Sequence, residues 1–225
     1  MLNRLWRFGF HLLYNQCAFS YDHVSRAISL GRWRAWQRSA MRFLPPPDAG
    51  IVLELAHGSG DMQIDLQQAG YRCLALDLSP NMNKLAQKKL RRVGLRANLV
   101  RGDAMRLPLP SAVVVAVVCT FPTAFIFRQQ TLYELRRVLQ PGASACIVVA
   151  GELAGRGPLR SMIRFLYRLT EQGQPLASGS DLRGWFGETG FVAQAPVIQL
   201  AGSSAQLIIL TKPRKPALDF PPQSC

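Results

Sequence analysis

Five short apolar runs, separated by stretches of helical periodicity, constrain this chain more than any other feature. Residues 51–55, 73–76, 95–100, 113–119 and 145–150 read as strands. Residues 61–69, 79–93 and 129–139 read as helices between them. Gly70 stops the first helix, Ser79-Pro80 opens the second with an N-cap serine and a first-turn proline, and Pro141-Gly142 ends the third. Strands alternating with helices require βαβ crossovers, and therefore a parallel sheet covered by helices on both faces. The valine-rich run 113–119 suits a strand buried on both sides. The uncharged stretch 107–127 is long enough to raise the question of a membrane span, but Pro108, Pro110 and Pro122 divide it into loop, strand and loop.

The flanks have a different character. Leu2, Leu5, Trp6, Leu12 and Leu13 follow helical spacing, and a second helix is expected from about residue 21 to 43, ended by Pro45-Pro46-Pro47. Beyond the alternating part, 158–169 and 181–188 read as helices. Residues 191–200 and 205–211 read as an antiparallel strand pair at the sheet edge. A chain of 225 residues, 48% hydrophobic, suits one domain with additions. The expected organisation is a helical cap over 1–44, a sheet domain over 45–213 carrying a lid helix at 156–171, and a flexible tail over 214–225. No secretory signal is expected, because His11, Asn15 and Gln16 break the apolar stretch after Arg4 and Arg7.

In an open α/β sheet, ligands bind beyond the carboxyl ends of the strands. Three such ends carry distinctive residues. Glu54-Leu55-Ala56-His57-Gly58-Ser59-Gly60 has small residues at alternate positions, letting a turn fold tightly and a ligand approach the backbone at a helix N-terminus. The dinucleotide fingerprint would need a third glycine at Gln63, and the P-loop lysine is missing. Asp77 ends the second strand, where a carboxylate can accept both hydroxyls of a ribose. Gly102-Asp103-Ala104 follows the third strand, where an aspartate can accept from an adenine amino group while Ala104 packs on the ring.

These segments, with Leu76-Asp77-Leu78-Ser79-Pro80-Asn81-Met82, Arg101-Gly102-Asp103-Ala104-Met105-Arg106-Leu107-Pro108 and Glu134-Leu135-Arg136-Arg137-Val138-Leu139-Gln140-Pro141-Gly142, resemble the class I S-adenosylmethionine-dependent methyltransferases over about residues 50–150. Phe19-Ser20-Tyr21-Asp22 and the run from Ser29 to Trp36 are similar to the start of the ubiquinone and menaquinone biosynthesis methyltransferases. The resemblance implies a doubly wound, mostly parallel seven-stranded sheet with an N-terminal helical cap, and S-adenosyl-L-methionine as cofactor. It implies cofactor contacts from Tyr21, Glu54, Ala56, His57, Gly58, Gly60, Asp77, Leu78, Met82, Asp103, Ala104 and Thr120. The implied reaction is methyl transfer to a small lipophilic or aromatic molecule. Three positions depart from the family pattern: Ala56 replaces its first glycine, where the methyl is expected to crowd the cofactor; His57 stands where a cysteine or another small residue is common; and Val115 replaces an aspartate that commonly starts strand four.

Methyl transfer from a sulfonium needs orientation and exclusion of water more than any fixed catalytic residue, so no catalytic residue is assigned. Thr120 and Phe121 should lie near the transferred methyl. His23 and His57 are the histidines near the expected pocket that could act as a base, and Tyr14 and Tyr21 could line it. Five cysteines without a C-x-x-C pair suggest reduced thiols, a cytoplasmic setting and no metal. The net charge of +14 favours anionic partners. Arg156, Arg160, Arg164 and Arg168 beside Leu159, Met162, Ile163 and Leu166 would suit peripheral contact with an anionic membrane. A specific nucleic-acid partner is not expected, since there is no clustered basic tail and no Asn-Pro-Pro-Tyr. Two alternatives stand beside this reading: a non-catalytic cofactor-binding protein of the same fold, and a nucleic-acid methyltransferase, to which the charge of +14 points.

Overall fold

The computed structural model describes residues 25, 27, 29–154 and 186–214. The helical stretch of Leu2, Leu5, Trp6, Leu12 and Leu13 and the helix expected over 158–169, with Tyr14, Tyr21, His23 and the arginine stripe, lie outside the described residues. So does the tail beyond Arg214.

Strand–helix alternation produces the expected parallel sheet. β1 (Ile51–Leu55) leads to α2 (Asp61–Gln68), β2 (Arg72–Asp77), α3 (Pro80–Arg92), β3 (Leu99–Arg101), β4 (Val114–Thr120), α4 (Gln129–Val138) and β5 (Leu139–Leu153). β6 (Val192–Gln194), β7 (Val197–Leu200) and β8 (Ser203–Thr211) follow, and α1 (Trp33–Arg38) precedes β1. The order across the sheet is β3-β2-β1-β4-β5-β8-β6, with β7 also paired to β8. The first five strands are parallel, and β8 joins β5 antiparallel. Order reverses at β1/β4, the switch point where a crevice opens above the strand ends.

The period-two pleat divides each strand between two helical layers. Leu53, Leu55, Leu76, Val117, Cys119 and Ile147 pack with Leu132 and Leu135 of α4. Val52, Cys73, Ala116, Val118, Cys146 and Val148 pack with Trp36 of α1 and with Met62 and Leu66 of α2. Among the described residues no helix is long and apolar enough to cross a membrane.

Several boundaries differ from expectation for local reasons. The helix expected over 21–43 is interrupted, because Leu30 and Gly31 take left-handed backbones (φ 49° and 79°). α1 restarts only at Trp33 and tightens into a 3₁₀ turn over Ser39–Phe43. The third strand begins at Leu99 rather than 95. The Leu95 N–H closes α3 onto the Leu90 carbonyl, and Arg96 exchanges two hydrogen bonds with the Gln67 side chain instead of a neighbouring strand. The strand expected over 191–200 is two strands, divided at Pro196, which has no N–H to give to a ladder. This division makes eight strands where seven are expected. β8 is interior to the antiparallel group, between β5 and the outer strands β6 and β7.

Candidate functional site

The turn after β1 folds through three left-handed residues at alternate positions: Ala56 (φ 53°), Gly58 (52°) and Gly60 (87°). Gly60 also meets α3, since a Cβ there would lie 2.9 Å from the Ala86 Cβ. Gly58 faces open space. Ala56 accepts a conformation that costs an L-residue about 1–2 kcal/mol, and its N–H donates to the Leu76 carbonyl at 2.7 Å. The usual glycine at this position is thus explained by backbone geometry. The expected crowding of the cofactor is not needed to account for it.

Asp77 closes the turn from β2. Its Oδ2 accepts the Gly58 N–H at 2.9 Å and its Oδ1 accepts the Ser79 N–H at 2.8 Å. A carboxylate has about four acceptor directions, so each oxygen retains capacity for a hydroxyl. Leu78 beside it stands 65% exposed. Met82, in the first turn of α3, is fully buried, and its N–H donates to the N-cap Ser79 hydroxyl.

Glu54, at the end of β1, is buried, and its Oε2 has no hydrogen-bond partner among the described residues. Burial pushes its carboxyl up to about 8. The Gln63 side chain beside it offsets part of this shift, and the negative charges of Asp77, Asp61 and Asp65 add to it. An uncompensated carboxyl so placed is a ready counter-charge for a cation.

His57 is buried. Its Nδ1 lies 2.9 Å from the Gly58 carbonyl oxygen and its Nε2 3.4 Å from Asn83 Oδ1. Asn83 Nδ2 donates to the Asp77 and Ser79 carbonyls, so this imidazole belongs to the hydrogen-bonded frame between the turn and α3. After β3, Asp103 Oδ1 accepts the Met105 N–H at 2.9 Å, leaving its other oxygen without a described partner. Ala104 is buried in the core near Leu76 and Leu107.

At the end of β4, Thr120 Oγ1 accepts from Gln37 Nε2 of α1 at 3.0 Å. Phe121 has a left-handed backbone (φ 51°) and stacks on Trp33, with ring centroids 3.9 Å apart and planes at 24°. Trp36 meets Phe121 edge-on. α1 is fastened on its other flank by Asp65 of α2. Arg34 Nη2 and Arg38 Nη2 each reach Asp65 Oδ1 at 2.6 Å, and Arg34 Nε reaches Asp65 Oδ2 at 3.1 Å. Gln37, Trp33 and Trp36 were not assignable to the site from sequence. The Trp33/Trp36 spacing indicates a buried helical face, but nothing in it says which strand end that face meets.

Val115 lies at the opposite end of β4, against Gly50, so its departure from the family pattern is remote from this crevice. The three described thiols are buried: burial pushes Cys73 and Cys146 up to about 12 and Cys119 well above its ordinary value. Surface hollows of about 340 and 310 Å³, at Phe191–Gln194 and around Ser111, Tyr133, Arg136, Arg137 and Lys212, lie toward the amino ends of β4 and β5.

Residues 52–142 match the family described as a methyltransferase domain. The demethylmenaquinone methyltransferase of Deinococcus radiodurans is 37% identical over 125 residues, which are 54% of this chain and 52% of that protein. The ubiquinone/menaquinone biosynthesis C-methyltransferase of Syntrophotalea carbinolica is 31% identical over 159 residues, 69% of this chain and 65% of that protein. The chain thus spans between half and two thirds of the length of these curated relatives. A solved SAM-dependent methyltransferase structure from Aquifex aeolicus superposes with a TM-score of 0.60 over 84% of this chain and 97% of that one. At 17% identity this is a likeness of fold.

Proposed function

We propose that this chain, which carries a class I S-adenosylmethionine-dependent methyltransferase domain, moves the methyl group of S-adenosylmethionine to a small lipophilic molecule with an aromatic ring. The observation carrying this reading is the convergence at one strand end of the glycine turn, Asp77 and the buried Glu54, whose Oε2 has no hydrogen-bond partner among the described residues. These residues suit the cofactor: Asp77 for the ribose hydroxyls, Glu54 for positive charge, and the open side of Gly58 for close backbone approach. Asp103 offers an acceptor for the adenine amino group, and Ala56, His57, Gly60, Leu78, Ala104, Met82 and Thr120 shape the walls around it. The division into a cap over 1–44 and a methyltransferase domain from 45 onward belongs to the same proposal.

When bound, the cofactor supplies a methyl group on a sulfonium. The protein's part is to hold the acceptor in line and to exclude water. The aromatic pair Trp33 and Phe121 at the end of β4 gives a flat acceptor an apolar surface. The quinone-pathway relatives support a ring carbon as the methylated atom. A lipophilic acceptor together with the net charge of +14 supports peripheral contact with an anionic membrane.

Methyl-labelled S-adenosylmethionine and anaerobic 1,4-dihydroxynaphthalene provide the test. Label recovered on a ring carbon, with an equal amount of S-adenosylhomocysteine, is expected. Cofactor binding with no transfer to this or a prenylated quinol would refute the acceptor class.

A further inference from the structure

We propose that Gln37 is a specificity-determining residue of the acceptor site: its unpaired amide end hydrogen-bonds a hydroxyl on the acceptor ring, which lies against Trp33 and Phe121. The inference rests on the aromatic-acceptor reading above and names the group that selects the ring.

α1 is fixed from two sides, by the two arginines on Asp65 and by the aromatic contact with Phe121. Gln37 is therefore held at a defined place over the end of β4. Only 9% of it is exposed. One end of its amide bonds Thr120, while Oε1 is buried and has no hydrogen-bond partner among the described residues. If the Thr120 hydroxyl donates instead, the amide reverses and its NH₂ becomes the unpaired end. Either way one polar group is buried and unmatched, a costly arrangement that is rare without a use.

The second observation is independent. Phe121 has a left-handed backbone that strains a bulky residue, although its N–H still bonds the Val148 carbonyl at 2.7 Å. The twist seats the ring on Trp33 of α1. Backbone strain of this kind concentrates at ligand sites. It sits one residue from Thr120, on the same sheet face as Glu54, whose strand-mate Val52 packs with Trp36.

An apolar stack beside one unmatched amide end fits a flat ring bearing a hydroxyl. A hydroxyl both donates and accepts, so it satisfies the amide in either orientation. A plain hydrocarbon would leave the amide unpaired.

The test measures tryptophan fluorescence quenching by two anaerobic probes, 1,4-dihydroxynaphthalene and naphthalene, with full-length wild type, Gln37→Leu and Gln37→Met. S-adenosylhomocysteine affinity, measured in parallel, verifies that each variant keeps the fold. Both variants should bind dihydroxynaphthalene about tenfold more weakly and naphthalene as tightly as wild type or more so. Equal weakening of both probes would reduce Gln37 to a packing role, and unchanged dihydroxynaphthalene binding would remove it from the site. Either result overturns this inference while leaving the methyltransferase reading intact. If wild type binds neither ring, the acceptor class itself fails and this inference falls with it.

Discussion

Glu54→Gln is the perturbation whose consequences the structure specifies most fully. Burial raises the Glu54 carboxyl from about 4.5 to about 8, so the folded protein holds a proton that the unfolded chain releases. The destabilisation begins as pH rises past about 4.5, grows until about 8, and is constant beyond. One pKa unit corresponds to about 1.36 kcal/mol, so the cost at pH 7 is about 3 kcal/mol. Between pH 5 and pH 8 the wild type should lose about 4 kcal/mol of stability through this group. Glutamine keeps the shape without titrating, so the variant should be the more stable protein at pH 8 and should lack this slope. Urea unfolding of the cofactor-free protein at both pH values measures the difference. The same proton should leave when the cationic cofactor binds. Titration calorimetry at pH 7, in buffers of different ionisation enthalpy, should show close to one proton released by wild type and none by Glu54→Gln, which should also bind more weakly. Parallel pH profiles for the two proteins, with no proton release by wild type, would refute the account of Glu54.

Asp77→Ala should weaken S-adenosylmethionine binding by about 1.5–3 kcal/mol, the scale of lost charge-assisted hydrogen bonds; equal affinity by calorimetry would remove Asp77 from the ribose site. Ala56→Gly relieves about 1–2 kcal/mol of left-handed strain against roughly 0.5–1 kcal/mol of added chain entropy, so a gain of about 0.5 kcal/mol is expected in urea unfolding, and a clear loss would contradict the strain argument. Asp65 is burdened by burial, but hydrogen bonds from Arg38 and Arg34 outweigh it and hold the carboxyl below its ordinary value. Its contribution is present above about pH 4 and is lost as pH falls through the lowered folded value. Because both arginines are well exposed, Asp65→Asn should cost only about 1 kcal/mol at pH 7, and the cost should vanish in strong acid. Vesicle flotation should show salt-sensitive binding to anionic membranes and none to neutral ones; absence of binding at low salt would end the membrane proposal.

The parallel strands and their helices were legible because burial on two faces leaves apolar runs and because Ser79-Pro80 and Gly70 punctuate them. Pro141-Gly142 does not end a helix as expected: α4 stops at Val138, where Leu139 turns extended, and both residues lie inside β5. The glycine turn and Asp77 were legible for a similar reason: a tight turn and a strand-end carboxylate leave marks in a single short segment. What the sequence concealed depends on contacts between distant segments. Leu30-Gly31 looks like the interior of a helix until its left-handed backbone divides it. Residues 95–98 are apolar enough for a strand, yet Gln67 captures Arg96. Gln37 is one glutamine among many, and only docking of α1 through Asp65 and Phe121 brings it to Thr120. That Glu54 Oε2 is left without a partner among the described residues is likewise a fact of packing, since the letters show an acid but not its neighbours.

The central claim is that the crevice above β1 and β2 holds S-adenosylmethionine, and a crystal structure with bound S-adenosylhomocysteine tests it most directly. The account predicts ribose hydroxyls within hydrogen-bonding distance of Asp77, the methionine ammonium toward Glu54, the adenine near Asp103, and the sulfur facing Thr120. A ligand seated elsewhere, or a crevice still empty at saturating ligand, would contradict it.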